Sequence, residues 1–489
     1  MLSLSSIAEK AFIAAGAKPT VRRYAAAQNS RLVGDWRGTN LSANQEIKDD
    51  LKMLRGRSRQ LSRDDDTFIG FLRKMETYVI GRDGLTCQVN AKTATGKERD
   101  ALNDKVEQAW QDWSKKQNCD VTGQLCFRDI AALAVRTLII DGEILIRKHF
   151  TPEGLKLQML DVDWLAEDYN DPKLPNGNRV VMSIELDRFD KPVAYHFSEP
   201  RWSAASTFGI NPIIPPGEIR LRVPAEQIVH RFIKERAGQV RGVPWAHGAM
   251  MSLNQMHGLD EAELVAARVG ASNMVFVSPP AEVEGGSVNE NPMDTEVSPG
   301  QVLELPSGYT VHETKFPKPL DSAFSKRIMR RIAGSLGIDY SDLANDLESV
   351  NFSSIRAGTI NARDGYRVLQ KWIEVNLYQD VFSTWLMMWS GITSRQMEAV
   401  MFPKWHPRGY EWVDPAKDIK ADIDAINMGL KTRTDVLGER GRDFEETMKQ
   451  IAAEKKVIEG LGLEFSKDGT PSVEEPEEDE PVNGKRTSN

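Results

Sequence analysis

The stretch from Pro317 to Trp389 constrains the fold more than any other part of the sequence, because three dissimilar elements follow one another there almost without a linker. The first, PLDSAFSKRIMRRIAGSLGI, repeats an apolar residue at every fourth position, which predicts an amphipathic helix. Its apolar stripe consists of Phe324, Ile328, Ile332 and Leu336. Lys326 and Arg330 lie roughly opposite this stripe, and Arg327 and Arg331 flank it. The pattern therefore predicts a helix with one basic face.

An acidic loop and a very long helix follow the basic helix. The loop, DYSDLANDLESVNF, contains no basic residue, and its acids are Asp339, Asp342, Asp346 and Glu348. The segment SSIRAGTINARDGYRVLQKWIEVNLYQDVFSTWLMMW then continues for more than thirty residues without a proline. As one helix it would extend about 50 Å at 1.5 Å per residue. A helix of this length usually serves as a strut, which favours an architectural protein over a compact enzyme.

Length and charge limit the classes of protein that fit. A chain of 489 residues is long enough for about three domains, and 40% apolar with 27% charged residues is typical of a globular protein. The net charge of −8 argues against a protein whose whole surface binds nucleic acid. A local basic face on such a protein remains compatible with this balance.

The cysteines and the apolar segments indicate a soluble intracellular protein. Cys87, Cys119 and Cys126 are too few and too irregularly spaced for a disulfide framework or a zinc site, so we expect reduced thiols. The first fifteen residues lack the continuous apolar run of a signal peptide, because Lys10 interrupts them. We expect no membrane contact, because every apolar run is shorter than the roughly 18 residues of a membrane span.

Periodicity divides the chain into a helical and stranded body with two extensions. Residues 1–63 are polar and predict an arm that becomes ordered on another surface. Over residues 64–243 three helical patterns come first, and short alternating runs follow them, which predicts an α+β domain. The first two patterns have the apolar stripes Phe68, Phe71, Leu72, Met75 and Leu102, Val106, Trp110, Trp113, and the third helix is predicted from Phe127 to Ile140. Two helices at 244–272 and 318–337 enclose a β-rich insert at 273–317, which predicts a small module carried on a helical hairpin.

The composition of the sequence changes twice towards the end of the chain. A segment dense in proline and aromatic residues leads into a helical region over residues 413–465. Residues 466–489, which include EEPEEDE, form an acidic low-complexity tail that cannot bury enough apolar area to fold. The body of the protein is therefore expected to end near residue 465.

Motifs for catalysis are scarce. The sequence has no P-loop, no dinucleotide-binding glycine fingerprint, no GxSxG and no HExxH, and its seven histidines are scattered. Asp161 and Asp163 in LDVDWL are spaced to hold a divalent metal ion for phosphoryl or nuclease chemistry. The same pair also fits a strand end with two solvent-facing acids. A metal-dependent DNA-processing enzyme that uses Asp161 and Asp163 is therefore the alternative function.

Two further features have both a binding and a structural interpretation. The basic face of residues 326–331 has the charge density to contact DNA phosphates, and it equally fits a solvated helix face with salt bridges. Trp405, Tyr410 and Trp412 are residues of the type that stacks on bases. Prolines surround these aromatics, so packing at a chain reversal is the favoured interpretation.

Three strings in this sequence resemble the lambda-type family of phage portal proteins, the head–tail connectors. They are GQVRGVPW at 238–245, SLGIDYSDLANDLESVNFSSIRAG at 335–358 and WHPRGYEWVDPAKD at 405–418. The middle string is the most specific, and the similarity extends over residues 60–460. Phe352 and Ile355 occupy positions where Tyr and Ala are expected in the family.

The resemblance implies an α+β portal-type fold with an α/β wing, a helical-hairpin stem, a β-rich clip and a helical crown. In this scheme the regions are an N-terminal arm (1–63), wing (64–243), first stem helix (244–272), clip (273–317), second stem helix (318–337), tunnel loop (338–353), spine helix and wing closure (354–412), crown (413–465) and acidic tail (466–489). It also implies a ring, usually of twelve subunits, at one capsid vertex. Such a ring conducts double-stranded DNA during packaging and ejection.

The resemblance further implies which residues contact partners. DNA-facing positions in the tunnel would be Lys326, Arg330, Asp342, Asp346, Glu348 and Asn351. Positions in the clip that dock partners would be Val283, Asn289, Asn291 and Met293. The expected partners are the terminase large subunit, a head-completion adaptor, and the major capsid and scaffold proteins. No catalytic residue, cofactor or metal is expected, and the ring would be assembled in the host cytoplasm and reside in the virion. A scaffold or adaptor that binds protein only is a third hypothesis.

Overall fold

The protein is an α+β structure, as the sequence predicts. The computed structural model describes residues 38, 40–92, 99–198, 220–271, 275–278, 310–313, 322–346, 352–410, 415–442 and 444–461. The helices are α1 (Ala43–Asp64), α2 (Asp66–Val79), α3 (Asp100–Trp113), α4 (Lys116–Cys119), α5 (Phe127–Ile140), α6 (Met250–Ala271), α7 (Ser322–Leu336), α8 (Tyr340–Ala344), α9 (Phe352–Ile373), α10 (Gln379–Met388), α11 (Ser394–Val400), α12 (Pro415–Asn427), α13 (Arg433–Gly438) and α14 (Phe444–Leu461).

All paired strands in the described residues are antiparallel and form four small sheets. The strands are β1 (Thr86–Gln88), β2 (Ile144–Thr151), β3 (Gly154–Met159), β4 (Arg179–Val181), β5 (Ile184–Leu186), β6 (Pro192–Phe197), β7 (Leu221–Pro224), β8 (Ile228–Arg231), β9 (Val275–Ser278), β10 (Thr310–Glu313) and β11 (Lys404–His406). One sheet has the order β3-β2-β8 and another β4-β5-β6-β7, while β1 pairs with β11 and β9 with β10. The β9–β10 pair places two strands of the predicted insert next to each other.

Helices α2, α3 and α5 bury the apolar stripes that their sequences predict. Asp65 begins α2 by accepting a hydrogen bond from the amide of Phe68 at 2.7 Å, an N-terminal cap. The predicted third helix is confirmed at Phe127–Ile140. The stripe residues buried by α2 and α3 are Phe68, Phe71, Leu72, Met75, Leu102, Val106, Trp110 and Trp113. These helices therefore form one wall of the main core.

Aromatic rings join this wall to distant parts of the chain. The Trp110 ring makes edge contacts with Phe127 at 5.2 Å, Trp385 at 5.3 Å and Trp405 at 5.8 Å between ring centroids. Trp405 is 4% exposed, so it packs in the core as the prolines beside it indicated, and it is not placed to stack on bases. This aromatic cluster fixes the end of the long helix and β11 against α3 and α5.

The predicted strut is continuous from Phe352 to Met388, through α9, a π-helical turn at Glu374–Tyr378 and α10. Leu377 and Tyr378 within the turn are buried. On α10, Asp380 pairs with Lys148 at 3.0 Å and with Arg231 at 2.7 Å, so both β2 and β8 are tied to the strut. The β3-β2-β8 sheet and the long helix thus form one packed unit.

Helices α6 and α7 form a hairpin that is buried only at its base. Ile332 and Leu336 of α7 are buried, and Ile328 is partly buried, in line with the predicted stripe. Met250 and Leu253 of α6 are buried, but beyond them the helix has no buried side chain in residues 254–268. Its exposed apolar residues include Met251, Leu264 and Val265. No helix of the described residues has the length and apolarity needed to cross a membrane.

Helix α1 lies almost wholly within the predicted arm and packs against other helices of the chain. Ser42 and Gln45 form a reciprocal capping box that begins the helix. Its buried side chains include Leu51, Arg55 and Ser58. The arm of residues 1–63 was expected to become ordered on another surface, and its helix α1 packs against α2, α5 and α6 of the same chain. The boundary at residue 63 stays a prediction.

Candidate functional site

The basic helix α7 lies beside the acidic loop (residues 338–353), of which residues 347–351 lie outside the described part of the chain. Lys326 Nζ lies 2.9 Å from Asp346 Oδ2, and the Tyr340 hydroxyl donates to the same carboxylate at 2.8 Å. The Arg330 guanidinium lies 5.1 Å from the centroid of the Tyr340 ring, within cation–π distance. Two of the predicted tunnel cations are therefore held against the acidic loop of the same chain.

A third element, α2, supplies the cation for Asp342. Lys74 Nζ lies 2.7 Å from Asp342 Oδ1 and also donates to the Asp342 carbonyl oxygen. The Tyr78 hydroxyl donates to the same carboxylate at 3.3 Å. Burial, followed by the Asp342 charge, raises the pKa of Tyr78. The loop itself has no basic residue, and the cation that pairs with Asp342 lies 268 positions away in the sequence.

Asp339 begins α8 and locks the loop onto the long helix. Its carboxylate accepts from the backbone amide of Ser341 at 3.0 Å, which caps the short helix. A side chain at Gly358 of α9 would overlap this carboxylate. The glycine in the SSIRAG string therefore allows the close approach of loop and strut, and Asp339 serves a structural role.

The two flanking arginines of α7 face other surfaces. Arg331 Nη2 donates to Ser252 Oγ of α6 at 3.0 Å, and this bond links the two helices of the hairpin. The Arg327 guanidinium lies 5.2 Å from the centroid of the Phe324 ring of its own helix. The basic residues of α7 thus make three kinds of contact. Lys326 and Arg330 contact the acidic loop, Arg331 contacts α6, and Arg327 contacts Phe324 at the exposed end of the apolar stripe.

The structure brings together four of the predicted tunnel residues, Lys326, Arg330, Asp342 and Asp346. The other predicted tunnel residues lie outside the described part of the chain; they are Glu348 and Asn351. The predicted clip residues also lie outside it; they are Val283, Asn289, Asn291 and Met293. All ten positions stay predictions as contact residues.

Sequence reasoning missed the partners Lys74, Tyr78 and Ser252. Lys74 and Tyr78 are four residues apart and so share one face of α2, which was the available signal. Nothing in their local sequence identifies Asp342 as the residue that they contact.

Asp161 and Asp163, the pair that the sequence offers as metal ligands, bind an arginine side chain in the structure. Arg59 of α1 binds Asp161 at 3.1 Å and Asp163 at 2.5 Å, and its Nε donates to Asp141 at 2.6 Å. Asp161 additionally caps a 3₁₀ turn by accepting from the amide of Asp163. Within the described residues no group of three or more His, Cys, Asp or Glu is placed to hold a metal ion. The arrangement is that of an ion-pair network which anchors α1.

Deeper in the fold, the Glu143 carboxylate organises a network of buried charges. Glu143 Oε1 accepts from Arg55 Nη2 at 3.0 Å and from Arg241 Nε at 2.9 Å. The amide of Gly242 donates to the same oxygen at 2.7 Å. The side chains of Glu143 and Arg241 are fully buried. The GQVRGVPW string therefore folds around a charge pair, with Gly242 packed so tightly that a side chain there would overlap Gly142.

His230 completes this network as a neutral imidazole. Its Nε2 lies 3.0 Å from Glu143 Oε2, and a carboxylate can only accept, so Nε2 carries the hydrogen. Burial lowers the pKa of His230, and Glu143 offsets this only in part. Burial by itself would raise the pKa of Glu143, but the nearby Arg241 and Arg55 outweigh it and hold this pKa below its usual value. Glu143 is therefore ionised between Arg55 and Arg241 at neutral pH, and Arg55 also pairs with Glu167 at 2.7 Å.

Comparison with known proteins gives a consistent result along most of the chain. Residues 29–370 match the family described as phage portal protein, lambda family. The probable portal protein of Halomonas phage phiHAP-1 is 32% identical over 493 positions, which cover 95% of this chain and 93% of that protein. Portal protein B of Escherichia phage lambda is 19% identical and covers 75% of this chain and 76% of its own. A solved neck of an empty GTA particle, computed with C6 symmetry, is 14% identical with a TM-score of 0.45, over 85% of this chain and 94% of that one.

Proposed function

The chain belongs to the lambda family of phage portal proteins, and from this membership we propose that it forms a ring of twelve subunits at one capsid vertex. The ring conducts double-stranded DNA during packaging and ejection, without sequence preference and without catalysis of its own. Its place is the portal vertex of the virion, after assembly in the host cytoplasm. It requires no cofactor for this role.

We assign the regions of the chain accordingly. Residues 64–243 form the wing, and α6 and α7 form the stem that carries the clip at 273–317. The acidic loop is the tunnel loop, and the long helix from Phe352 to Met388 is the spine that crosses the wing. Helices α12, α13 and α14 form the crown. The terminase large subunit and the adaptor dock on the clip, and the capsid and scaffold proteins contact the wing.

The observation that carries the proposal is the exposed stem. Residues 254–268 of α6 have no buried side chain, although the helix continues for about five turns beyond its base. Met251, Leu264 and Val265 are at least half exposed. A single chain gains little from such a helix, whereas a ring buries it between neighbouring subunits. Subunit contact therefore explains a helix of this length and low charge.

The internal pairing of the tunnel charges suits a surface along which DNA slides. Lys326 and Asp346 neutralise each other, and Lys74 neutralises Asp342, so the loop presents paired charges to the phosphates. Twelve chains of net charge −8 carry about −96, which opposes tight adhesion of DNA to the ring as a whole. The tunnel then guides the duplex through weak contacts that depend on salt.

Native mass spectrometry and negative-stain microscopy of the purified full chain test the ring. We expect a closed ring of twelve subunits with a bore wide enough for a DNA duplex. A variant with Leu264→Asp and Val265→Asp should remain folded but fail to close, since two charges would be placed in the subunit contact. Asn254→Asp, which adds the same charge at an exposed polar position of α6, is the control. Chains that stay monomeric even with capsid and scaffold proteins present would refute the proposal.

A further inference from the structure

Three arginines converge on one tyrosine at a place remote in sequence from the basic helix. Arg363 and Arg367 of α9 and Arg408, just after β11, surround the ring of Tyr410. Their guanidinium carbons lie 5.2, 5.9 and 5.8 Å from the ring centroid, respectively. We call Arg363, Arg367 and Arg408 the arginine triad. Such proximity of three like charges needs either nearby carboxylates or an anion to be favourable.

A stack of tyrosines forms the floor under the arginine triad. The rings of Tyr78 and Tyr366 stack at 4.9 Å, and those of Tyr366 and Tyr410 lie 6.5 Å apart. The Tyr410 hydroxyl donates to the carbonyl oxygen of Tyr78 at 2.9 Å, which fixes its ring. Tyr366 is 4% exposed, and among the described residues its hydroxyl has no hydrogen-bond partner. The floor is therefore rigid and retains one unused polar group.

Carboxylates compensate the arginine triad only partly. Arg367 pairs with Asp364 at 3.0 Å, but both side chains are more than half exposed, so this pair contributes little. Arg408 Nη1 donates to the carbonyl oxygen of Thr77 at 2.7 Å, a neutral partner. Burial, followed by Arg367 and Arg408, lowers the pKa of Arg363 despite its contact with Tyr410. The site therefore holds an excess of positive charge.

A cavity of about 220 Å³ adjoins the triad, which gives an anion room to enter. Arg367, Arg408 and Tyr410 line it, as do two carboxylates of other elements. These carboxylates are already paired, Glu374 with Lys371 at 2.6 Å and Glu439 with Lys431 at 2.6 Å. With Lys371 included, three cations and two carboxylates line the cavity, so its lining carries a net positive charge.

We propose that the arginine triad binds the phosphodiester backbone of double-stranded DNA, as a contact point separate from the basic face of the stem. The planar guanidinium donates in a fork that matches phosphate oxygens, and tyrosine rings beneath hold the fork in place. This inference rests on the proposed function, which brings a DNA duplex to the ring. In a protein with a net charge of −8, a localised triad selects where the duplex touches.

The first test uses the unmodified full chain. A dicarbonyl reagent that modifies arginine is applied with and without a short blunt-ended DNA duplex, and mass spectrometry quantifies each modified residue. We expect Arg363 and Arg367 to react in the absence of DNA and to be protected in its presence. The exposed Arg395 of α11 is the internal reference and should react equally in both samples. Equal modification of the triad with and without the duplex would overturn the proposal.

The second test measures duplex affinity by fluorescence anisotropy over a range of salt concentrations. Replacing both Arg363 and Arg367 by Gln should flatten the slope of log K against log salt by about two, because two phosphate contacts are lost. Arg395→Gln should leave the slope unchanged. If the double variant keeps the slope and affinity of the parent, the triad does not contact DNA. If the variant does not fold, the protection measurement on the parent chain decides.

Two outcomes separate this inference from its premise and from a competing occupant. Rings that form normally but show no protection of the triad refute the site and leave the proposed function intact, whereas protection in a chain that forms no ring refutes only the function. The acidic tail after residue 466 is the other anion available to the arginines. The triad could be protected from the reagent without DNA and become reactive when the chain is truncated before Ser466. In that case the tail occupies the triad and the DNA site is refuted.

Discussion

Replacing Glu143 by Gln tests whether the buried charge network around Arg55 and Arg241 stabilises the fold. The change preserves the volume of the side chain but removes the carboxylate that lies 2.9 Å from Arg241. The new amide keeps one acceptor oxygen and replaces the other by an NH₂ group. The donors of Arg55, His230 and Gly242 therefore share one acceptor atom fewer. Breaking a buried ion pair by removing one partner costs about 3–5 kcal/mol.

This loss should be visible in thermal unfolding followed by circular dichroism. For a domain of about 150–250 residues, each kcal/mol shifts the midpoint by about 2–4 °C, so we expect a decrease of roughly 10 °C. Glu226→Gln removes an exposed carboxylate from the same domain and should change stability by less than about 0.5 kcal/mol. A midpoint within the error of this control would refute the role assigned to Glu143.

The pH dependence of unfolding provides a second measure of the same network. The pKa of Glu143 lies below its usual 4.5 in the folded chain, so its contribution is complete above that pH and is lost as the pH falls. The lowered pKa of His230 also favours unfolding as the pH falls below 6.5, because the unfolded chain binds the additional proton. Stability of Glu143→Gln should therefore decline less than that of the parent between about pH 5 and pH 3. Parallel curves over that interval would contradict this assignment.

Three further changes test other parts of the fold. Gly242→Ala should lower the free energy of unfolding by at least about 2 kcal/mol, because the new methyl overlaps the carbonyl oxygen of Gly142; an unchanged denaturant midpoint would count against this packing. Ile332→Asp, at a side chain that is 1% exposed, should give insoluble or unassembled protein, and normal rings by microscopy would show that the helix register is incorrect. Deleting residues 282–296 should leave rings intact but abolish capture of the terminase large subunit in a pull-down; normal capture would place the docking surface elsewhere.

Local periodicity was sufficient to predict the main helices. The stripes of α2, α3 and α7 are spaced at three and four residues, and each is buried largely as its spacing requires. The helix from Phe127 to Ile140 was predicted with its observed bounds for the same reason. Helix α1 was interpreted as an arm because its buried groups include Arg55 and Ser58, which do not register as core residues in a hydrophobic pattern.

The candidate site was less predictable, because its charges are neutralised by residues far away in the sequence. The loop of Asp342 and Asp346 is uniformly acidic when only neighbouring residues are considered. Its cations come from α2 and α7, and only the folded chain brings Lys74 to Asp342. The same applies to Asp161 and Asp163, whose spacing suits a metal ion but whose partner is Arg59. Pairings between remote residues cannot be derived from the spacing of residues in one segment.

The π-helical turn at Glu374–Tyr378 has a consequence for how this sequence aligns with its relatives. A π turn accommodates one residue more than a regular α-helical turn, so it corresponds to a single-residue insertion within a helix. Without that residue, the positions after it would rotate by about 100° about the helix axis, and Phe382 and Trp385 would leave the aromatic core. Relatives that pack the same core with a regular helix should therefore show a one-residue gap at 374–378, which marks an evolutionary insertion absorbed without loss of the downstream register.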